Sequence, residues 1–152
     1  MFMENTIQQL QSIIDNYTPQ LESLHEDVWS AKPNPSKWSK KEILGHLIDS
    51  AQNNIRRFIV AQYEDKPKIV YAQDTWVAAS NYQNYVTKNL VDLWILINKH
   101  ICMILKNIPA GVEERLSETS EPHSVKWPAA DYNKHLLHHL HQVLDLAPVA
   151  YP

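Results

Sequence analysis

The chain has 152 residues, of which 44% are hydrophobic and 20% are charged. A chain of this length and composition can form one hydrophobic core without stabilising disulfide bonds. Its net charge of −3 shows no excess of Lys and Arg, which removes nucleic acids and anionic membrane surfaces from the expected partners. With only two glycines and long stretches of helix-forming residues, the sequence predicts an all-α fold in a single domain over residues 1–152.

Cys102 is the only cysteine, so no intramolecular disulfide can form and a reducing compartment is favoured. Apolar residues flank Cys102, and we expect it to be a core residue. The N-terminal residues do not combine a basic stretch with an apolar one, and no window approaches the roughly 20 apolar residues of a membrane span. We therefore expect a cytoplasmic protein.

Apolar residues recur at spacings of three and four over residues 3 to 29 and predict a first helix, in which Pro19 is a candidate kink. Pro33 and Pro35 end that segment. A capping box from Ser39 to Glu42 then predicts that a second helix begins there and continues to about residue 63.

A long connection over residues 64 to 79 follows, and a second capping box from Ser80 to Gln83 predicts a third helix over residues 81 to 107. Pro109-Ala110-Gly111 ends it, residues 113 to 123 form a polar loop, and a last helix covers residues 125 to 146. Four helices of about 20 to 27 residues suit an antiparallel four-helix bundle.

Four of the eight histidines lie within residues 135 to 141. On a helix, His135 and His139 are one turn apart on the same side and can hold one metal ion through two imidazoles. Both fall just beyond the apolar stripe of the last helix, where they can face a crevice between helices, whereas His138 and His141 point in other directions. The alternative is a solvated histidine-rich face that binds nothing.

Catalytic metal sites usually have three protein ligands and an open position, so a third ligand must come from another helix. His46 is the best placed, because it lies at the edge of the apolar stripe of the second helix. Asp49 follows one turn later and could orient the imidazole or act as a general base; the alternative is a solvated surface acid. His25, His100 and His123 are weaker candidates.

These motifs resemble the DinB-like superfamily of metal-binding helical bundles. The resemblance rests on the stretch from Trp38 to Asp49, which contains Gly-His-Leu, and on the histidine-rich stretch from His135 to Val143. It implies a four-helix bundle of up-down-down-up topology, often a homodimer, with a divalent metal held by three histidines. Matched by position, the implied metal ligands are His46, His135 and His139.

Some members of the superfamily are thiol S-transferases that join bacillithiol, mycothiol or glutathione to electrophiles. A divalent metal on three neutral imidazoles would hold a thiol as thiolate at neutral pH, and zinc ranks first for such a site, with nickel and iron behind it. The same site could instead activate water for hydrolysis. A third interpretation is a noncatalytic bundle, perhaps a stress-response binding module, in which His138, His141 or Asp49 closes the coordination sphere.

The substrate pocket is the least defined part of the prediction. The middle loop contains Tyr71, Asp74 and Trp76, and the second helix carries Arg56 beside Arg57. Together they could line a pocket and offer a cation to a carboxylate-bearing thiol. Alternatively, the aromatic residues cap the bundle and the arginines form a solvated face. Trp38 and Trp94 are expected to be structural.

Overall fold

Four long helices form the framework of the structure, a computed structural model that describes residues 2–109, 111–112, 116–118, 122–124 and 126–151. They are α1 (Phe2–Ser23), α3 (Lys40–Val60), α5 (Thr87–Lys106) and α6 (Lys126–Val143). Two short helices, α2 (Glu26–Ser30) and α4 (Gln73–Ser80), and a 3-10 turn (Tyr82–Asn84) lie in the connections. Two strands of three residues, β1 (Leu116–Glu118) and β2 (Pro122–Ser124), pair as an antiparallel hairpin.

The long helices pack in the cyclic order α1, α5, α3, α6. Glu26, the first residue of α2, lies just beyond the end of α1. It accepts hydrogen bonds from Lys41 near the start of α3 and from Thr87 at the start of α5, so both helices run back along α1. Asn133 in the first half of α6 donates to the Thr6 carbonyl of α1, and these two helices are therefore parallel. The expected all-α bundle with up-down-down-up topology is confirmed.

Apolar side chains from all four long helices meet between them. Leu10, Leu44, Leu90 and Leu136 are each fully buried, and burial of one such side chain stabilises the fold by about 1.5–3 kcal/mol. Trp94 is also fully buried, as expected for a structural residue. None of the described helices is long and apolar enough to span a membrane.

The predicted first helix is in fact two helices. α1 continues through Pro19 but ends at Ser23, and α2 begins at Glu26. The side chain of His25 accepts the backbone N–H of Asp27 and so caps the start of α2. Because the apolar spacing continues across this break, periodicity alone could not reveal it.

The first predicted capping box is correct and the second is wrong. Ser39 accepts the backbone N–H of Glu42, whose carboxylate accepts the backbone N–H of Ser39. In contrast, Ser80 is the last residue of α4, Asn81 is left-handed with φ of 54°, and α5 begins only at Thr87. Asn tolerates this conformation better than most residues and ends α4 where the sequence pattern predicted a helix start.

The other differences concern connections. The predicted long connection contains α4, and the predicted polar loop contains the β-hairpin. α6 ends at Val143 rather than at residue 146, and Asp145 just beyond it has a positive φ of 52°. Ala110, residues 113–115 and 119–121 of the predicted loop, and Val125, the predicted start of the last helix, lie outside the described residues.

Candidate metal centre

The antiparallel packing of α3 and α6 brings together the three histidines that the sequence singled out. His46 comes from α3, and His135 and His139 come from successive turns of α6. One potential ligand atom from each of the three lies within 4.8 Å of the others, and no further His, Cys, Asp or Glu of the described residues belongs to this group. We call these residues the three-histidine cluster.

Hydrogen bonds at the back of the rings decide which nitrogen atoms face the centre. The Nδ1 of His139 donates to the side-chain oxygen of Gln142 at 2.7 Å, which leaves its Nε2 as a free lone pair. The Nδ1 of His135 lies 3.4 Å from the Ser50 hydroxyl. The Nε2 atoms of His46 and His135 lie 3.2 Å from each other. The cluster therefore presents Nε2 lone pairs toward a common point.

This arrangement fits a divalent metal ion. Two nitrogens that bind zinc at about 2.0–2.1 Å and at a tetrahedral angle lie about 3.3 Å apart, close to the observed separation. Burial, with smaller effects from the neighbouring histidines, lowers the pKa of His46 to about 4 and that of His135 to about 3. Burial also lowers the pKa of His139. All three imidazoles are thus neutral at pH 7, the form that binds metal.

His138 and His141 hold the segment that follows α6. The Nδ1 of His138 donates to the carbonyl of Val149 at 2.6 Å, and its Nε2 accepts from Gln142 at 3.2 Å. The Nδ1 of His141 donates to the carbonyl of Ala147, and its Nε2 accepts from the Tyr17 hydroxyl. Both nitrogens of each ring therefore have protein partners, so neither histidine is a spare ligand in this arrangement.

Asp49 is buried near the cluster, one turn after His46. One of its oxygens accepts the Tyr82 hydroxyl at 2.5 Å. Its other oxygen, Oδ2, is buried without a hydrogen-bond partner among the described residues, and so is the Nδ1 of His46. Burial raises the pKa of Asp49, while the hydrogen bond from Tyr82 opposes that shift. A donor and an acceptor thus remain unpaired on one face of α3, and such atoms are costly to bury.

The absence of a side chain at Gly45 leaves the space that the Tyr82 ring occupies. A Cβ atom at Gly45 would lie 2.1 Å from Cδ2 and 2.3 Å from Cγ of the Tyr82 ring, far inside van der Waals contact. The absence of a side chain lets the ring pack directly on α3, where its hydroxyl reaches Asp49. The glycine of the Gly-His-Leu motif therefore allows Tyr82 to hold Asp49 next to the cluster.

Aromatic rings stand beside two of the three histidines. The Trp38 and His46 ring centroids are 5.0 Å apart, and those of Tyr151 and His135 are 5.2 Å apart. Trp38 was expected to be structural, and it is half-buried against a predicted ligand. These rings give the cluster aromatic walls on two sides.

A second polar layer lies one turn from His135. The Tyr151 hydroxyl donates to Oδ2 of Asp131 at 2.7 Å. The Arg57 guanidinium donates to the carbonyl of Ile69 through Nε and Nη2, at 3.2 and 2.9 Å. Burial lowers the pKa of Arg57, and the charges of Tyr71, Asp131 and Tyr151 oppose that shift.

The predicted pocket residues fall in different places. Ser50 acts to lower the pKa of Tyr71, against the larger effect of burial, so Tyr71 stands near the cluster. Its ring packs edge-on against Trp76, with ring centroids 5.5 Å apart. Asp74 is exposed and lines a crevice with Trp38. Arg56 is exposed, whereas its neighbour Arg57 is half-buried. The substrate role of these residues stays a prediction.

Several residues around the cluster were missed from the sequence. Ser50 lies one turn after His46 and Asp131 one turn before His135, so helical spacing could have suggested both. Gln142 lies three residues after His139 and could have been found in the same way. Tyr151 carried no such signal, because it lies outside every helix.

An up-down-down-up bundle with three converging histidines defines a class of helical proteins that can bind a divalent metal. The DinB superfamily matches residues 9–143 of this chain, and the chain therefore belongs to that superfamily. The predicted resemblance is confirmed. No protein of curated function is significantly similar to the sequence.

Solved structures share this fold at low sequence identity. YfiT from Bacillus subtilis, described as a probable metal-dependent hydrolase with an unusual four-helix bundle topology, superposes with a TM-score of 0.83 at 17% identity. The match covers 94% of this chain and 84% of YfiT. Two structures of mycothiol-dependent maleylpyruvate isomerase, one of them a mutant, give TM-scores of 0.78 and 0.72 at 10% and 14% identity. Each of these two matches covers 97% of this chain but only 62% of the isomerase chain.

Proposed function

We propose that this protein is a divalent-metal-dependent thiol S-transferase that activates a low-molecular-weight thiol at the three-histidine cluster. The observation that carries the proposal is the donor set: three neutral imidazoles converge, and within the described residues no fourth His, Cys, Asp or Glu completes the group. Three protein ligands with a position left for an exogenous group are the usual composition of catalytic sites.

The engagement of the other candidate ligands supports an open position. His138 and His141 each use both ring nitrogens in hydrogen bonds to other groups. Asp49 is held by Tyr82. A structural metal site closed by His138 or His141 would require that histidine to leave both of its partners, which would cost the hydrogen bonds that it now makes. Oδ2 of Asp49 is unpaired among the described residues, and we assign it to the Nδ1 of His46.

A divalent ion bound by neutral imidazoles supplies positive charge that lowers the pKa of a thiol or water beside it. Zinc ranks first for this donor set, and nickel and iron also accept imidazole. Gln142 and Ser50 orient His139 and His135 through their Nδ1 atoms. We assign Asp49 the same role toward His46: its unpaired oxygen would accept the His46 Nδ1 proton.

The choice between thiol and water rests on the surroundings of the cluster. Aromatic walls from Trp38 and Tyr151 suit an organic ligand better than a small hydrophilic nucleophile. The mycothiol-dependent isomerases, which share the fold, use a thiol. Metal-dependent hydrolysis is the second candidate, because YfiT, with the same bundle, is described as a probable hydrolase. The homodimer and the cytoplasmic location stay predictions.

Cobalt(II) offers a direct test, because thiolate bound to cobalt gives a sulfur-to-metal charge-transfer band. Protein loaded with one equivalent of cobalt is titrated with glutathione, L-cysteine and 2-mercaptoethanol. The rate at which each thiol reacts with 1-chloro-2,4-dinitrobenzene is then compared with and without protein. His139→Ala tests the cluster, and His100→Ala, an exposed residue on α5, is the matched control.

We expect the band and a faster reaction in wild type and His100→Ala, and neither in His139→Ala. If no thiol gives the band while the cobalt protein hydrolyses ester or amide substrates, the hydrolase candidate replaces the transferase. If the cobalt spectrum does not respond to any thiol and no reaction is accelerated, the site is structural.

A further inference from the structure

We propose that Arg57 and Asp131 form a head-group subsite beside the three-histidine cluster for a thiol that carries both a carboxylate and an ammonium group. This inference rests on the proposed function, since it names the class of thiol that the same site would take. The subsite is defined by these two charged side chains, which stand on facing helices, Arg57 on α3 and Asp131 on α6.

Arg57 is fixed with part of its hydrogen-bonding capacity unused. Nε and Nη2 donate to the Ile69 carbonyl, and Nη1 donates to the side-chain oxygen of Asn54 at 3.3 Å. Guanidinium has five N–H groups, so one on each terminal nitrogen has no protein acceptor among the described residues. A pair of this kind can hold both oxygens of a carboxylate.

Asp131 is likewise oriented but only partly engaged. Its Oδ2 accepts the Tyr151 hydroxyl at 2.7 Å, and its Oδ1 has no protein donor within the described part of the chain. The Tyr151 ring in turn stands against His135, with centroids 5.2 Å apart. Tyr151 therefore sets the carboxylate of Asp131 beside the cluster, with one oxygen available to accept from an ammonium group.

A chain of contacts also connects Arg57 to the cluster. Arg57 donates to Asn54, whose amide donates to Ser50, and the Ser50 hydroxyl lies 3.4 Å from the Nδ1 of His135. The charge of Arg57 contributes to lowering the pKa of His135, and the charge of Asp131 acts on the pKa of Arg57. The two charged groups thus lie further along α3 and α6 than the cluster and are connected to it through Asn54 and Ser50.

The two opposite charges are not paired with each other. The ion pairs of the described residues do not include one between Arg57 and Asp131, although the charge of Asp131 acts on Arg57. Half-buried charges of opposite sign that stand apart complement a ligand with both signs, which satisfies each without leaving net charge behind. The α-amino carboxylate head of a cysteine-like thiol has this chemistry.

Four small thiols separate the contributions of the two charges. L-cysteine carries both groups, 3-mercaptopropionate only the carboxylate, cysteamine only the ammonium group, and 2-mercaptoethanol neither. Their dissociation constants are measured from the charge-transfer band of cobalt-loaded protein, so the readout is binding and not turnover. The variants are Arg57→Met, Asp131→Asn and Arg56→Met, with Lys99→Met, exposed on α5, as the control for the loss of one positive charge.

In wild type, L-cysteine should bind the most tightly of the four. Arg57→Met should weaken the binding of L-cysteine and 3-mercaptopropionate about tenfold and leave the dissociation constants of the other two thiols within twofold. Asp131→Asn should weaken the binding of L-cysteine and cysteamine, and Lys99→Met should leave all four dissociation constants unchanged. Direct coordination of the amine or carboxylate by the metal would produce the same ranking in every variant, and that result overturns the proposal.

The remaining outcomes are also decisive. If Arg56→Met, and not Arg57→Met, weakens the carboxylate-bearing thiols, the subsite is at the exposed arginine and the proposal is wrong. Circular dichroism shows whether the loss of the Ile69 contact unfolds Arg57→Met. If it does, Arg57→Lys and Asp131→Asn provide the test, and both variants must bind L-cysteine more weakly than wild type. If no thiol gives the band, the proposed function fails, and this is distinct from equal binding of all four thiols, which refutes only the subsite.

Discussion

Substitution of Gly45 by alanine tests how the surroundings of the cluster are built. On helix propensity alone, Gly45→Ala should stabilise the protein by about 1 kcal/mol. The new Cβ, however, would lie 2.1 Å from the Tyr82 ring, which must retreat by about 1.3 Å to reach an ordinary contact of 3.4 Å. Overpacking of this kind costs about 1–3 kcal/mol.

The displaced ring also loses its hydrogen bond to Asp49, a buried carboxyl, at a further cost of about 1–3 kcal/mol. The three contributions combine to a net loss of about 1–5 kcal/mol in the free energy of unfolding. Urea denaturation of chelator-treated protein measures it without any contribution from bound metal.

A double-mutant cycle isolates the clash. In a Tyr82→Ala background the space beside Gly45 is free, and Gly45→Ala should then stabilise by about 1 kcal/mol. A change of sign between the two backgrounds is the expected result. If Gly45→Ala stabilises the otherwise unmodified protein, the packing of Tyr82 on α3 is incorrect, and with it the explanation of how Asp49 is held.

Two further predictions concern the histidines and Asp49. Asp49→Asn should weaken zinc binding about 10- to 100-fold in competition with a chromophoric chelator, because the His46 Nδ1 proton would lose a charged acceptor; unchanged affinity would remove Asp49 from the site. In metal-free protein, the lowered pKa values of His46 and His135 mean that the unfolded chain binds more protons between pH 6.5 and about 4. Stability should therefore decrease as the pH is lowered from 6.5 to about 4, by at most about 1.4 kcal/mol per pH unit for each histidine. His46→Gln should reduce the slope of the free energy of unfolding against pH, and an unaltered slope would contradict the burial of a neutral His46.

The features that local sequence patterns predicted correctly are those that one helix specifies by itself. The Ser39 capping box depends on residues three apart, and the pairing of His135 with His139 depends on residues four apart. His46 was predicted from its position at the edge of an apolar stripe, and the packing of α3 against α6 brings it to the other two.

The features that were missed depend on contacts between distant segments. Arg56 and Arg57 differ by about 100° around α3, and only the position of the Ile69 carbonyl, in a loop, determines which of them turns inward. Tyr151 reaches His135 only after residues 144–151 fold back along α6, where His138 holds the carbonyl of Val149. No periodicity within one element contains this information.

Metal content tests the central claim most directly. Tag-free wild-type protein, His46→Ala, His135→Ala and the exposed-residue control His100→Ala are loaded with zinc, dialysed and analysed by elemental mass spectrometry. We expect about one tightly bound ion per chain in wild type and His100→Ala, and its loss in both cluster variants, because two imidazoles rarely suffice to retain an ion. A wild-type protein that remains empty after loading, or cluster variants that keep their metal, would contradict a three-histidine metal centre.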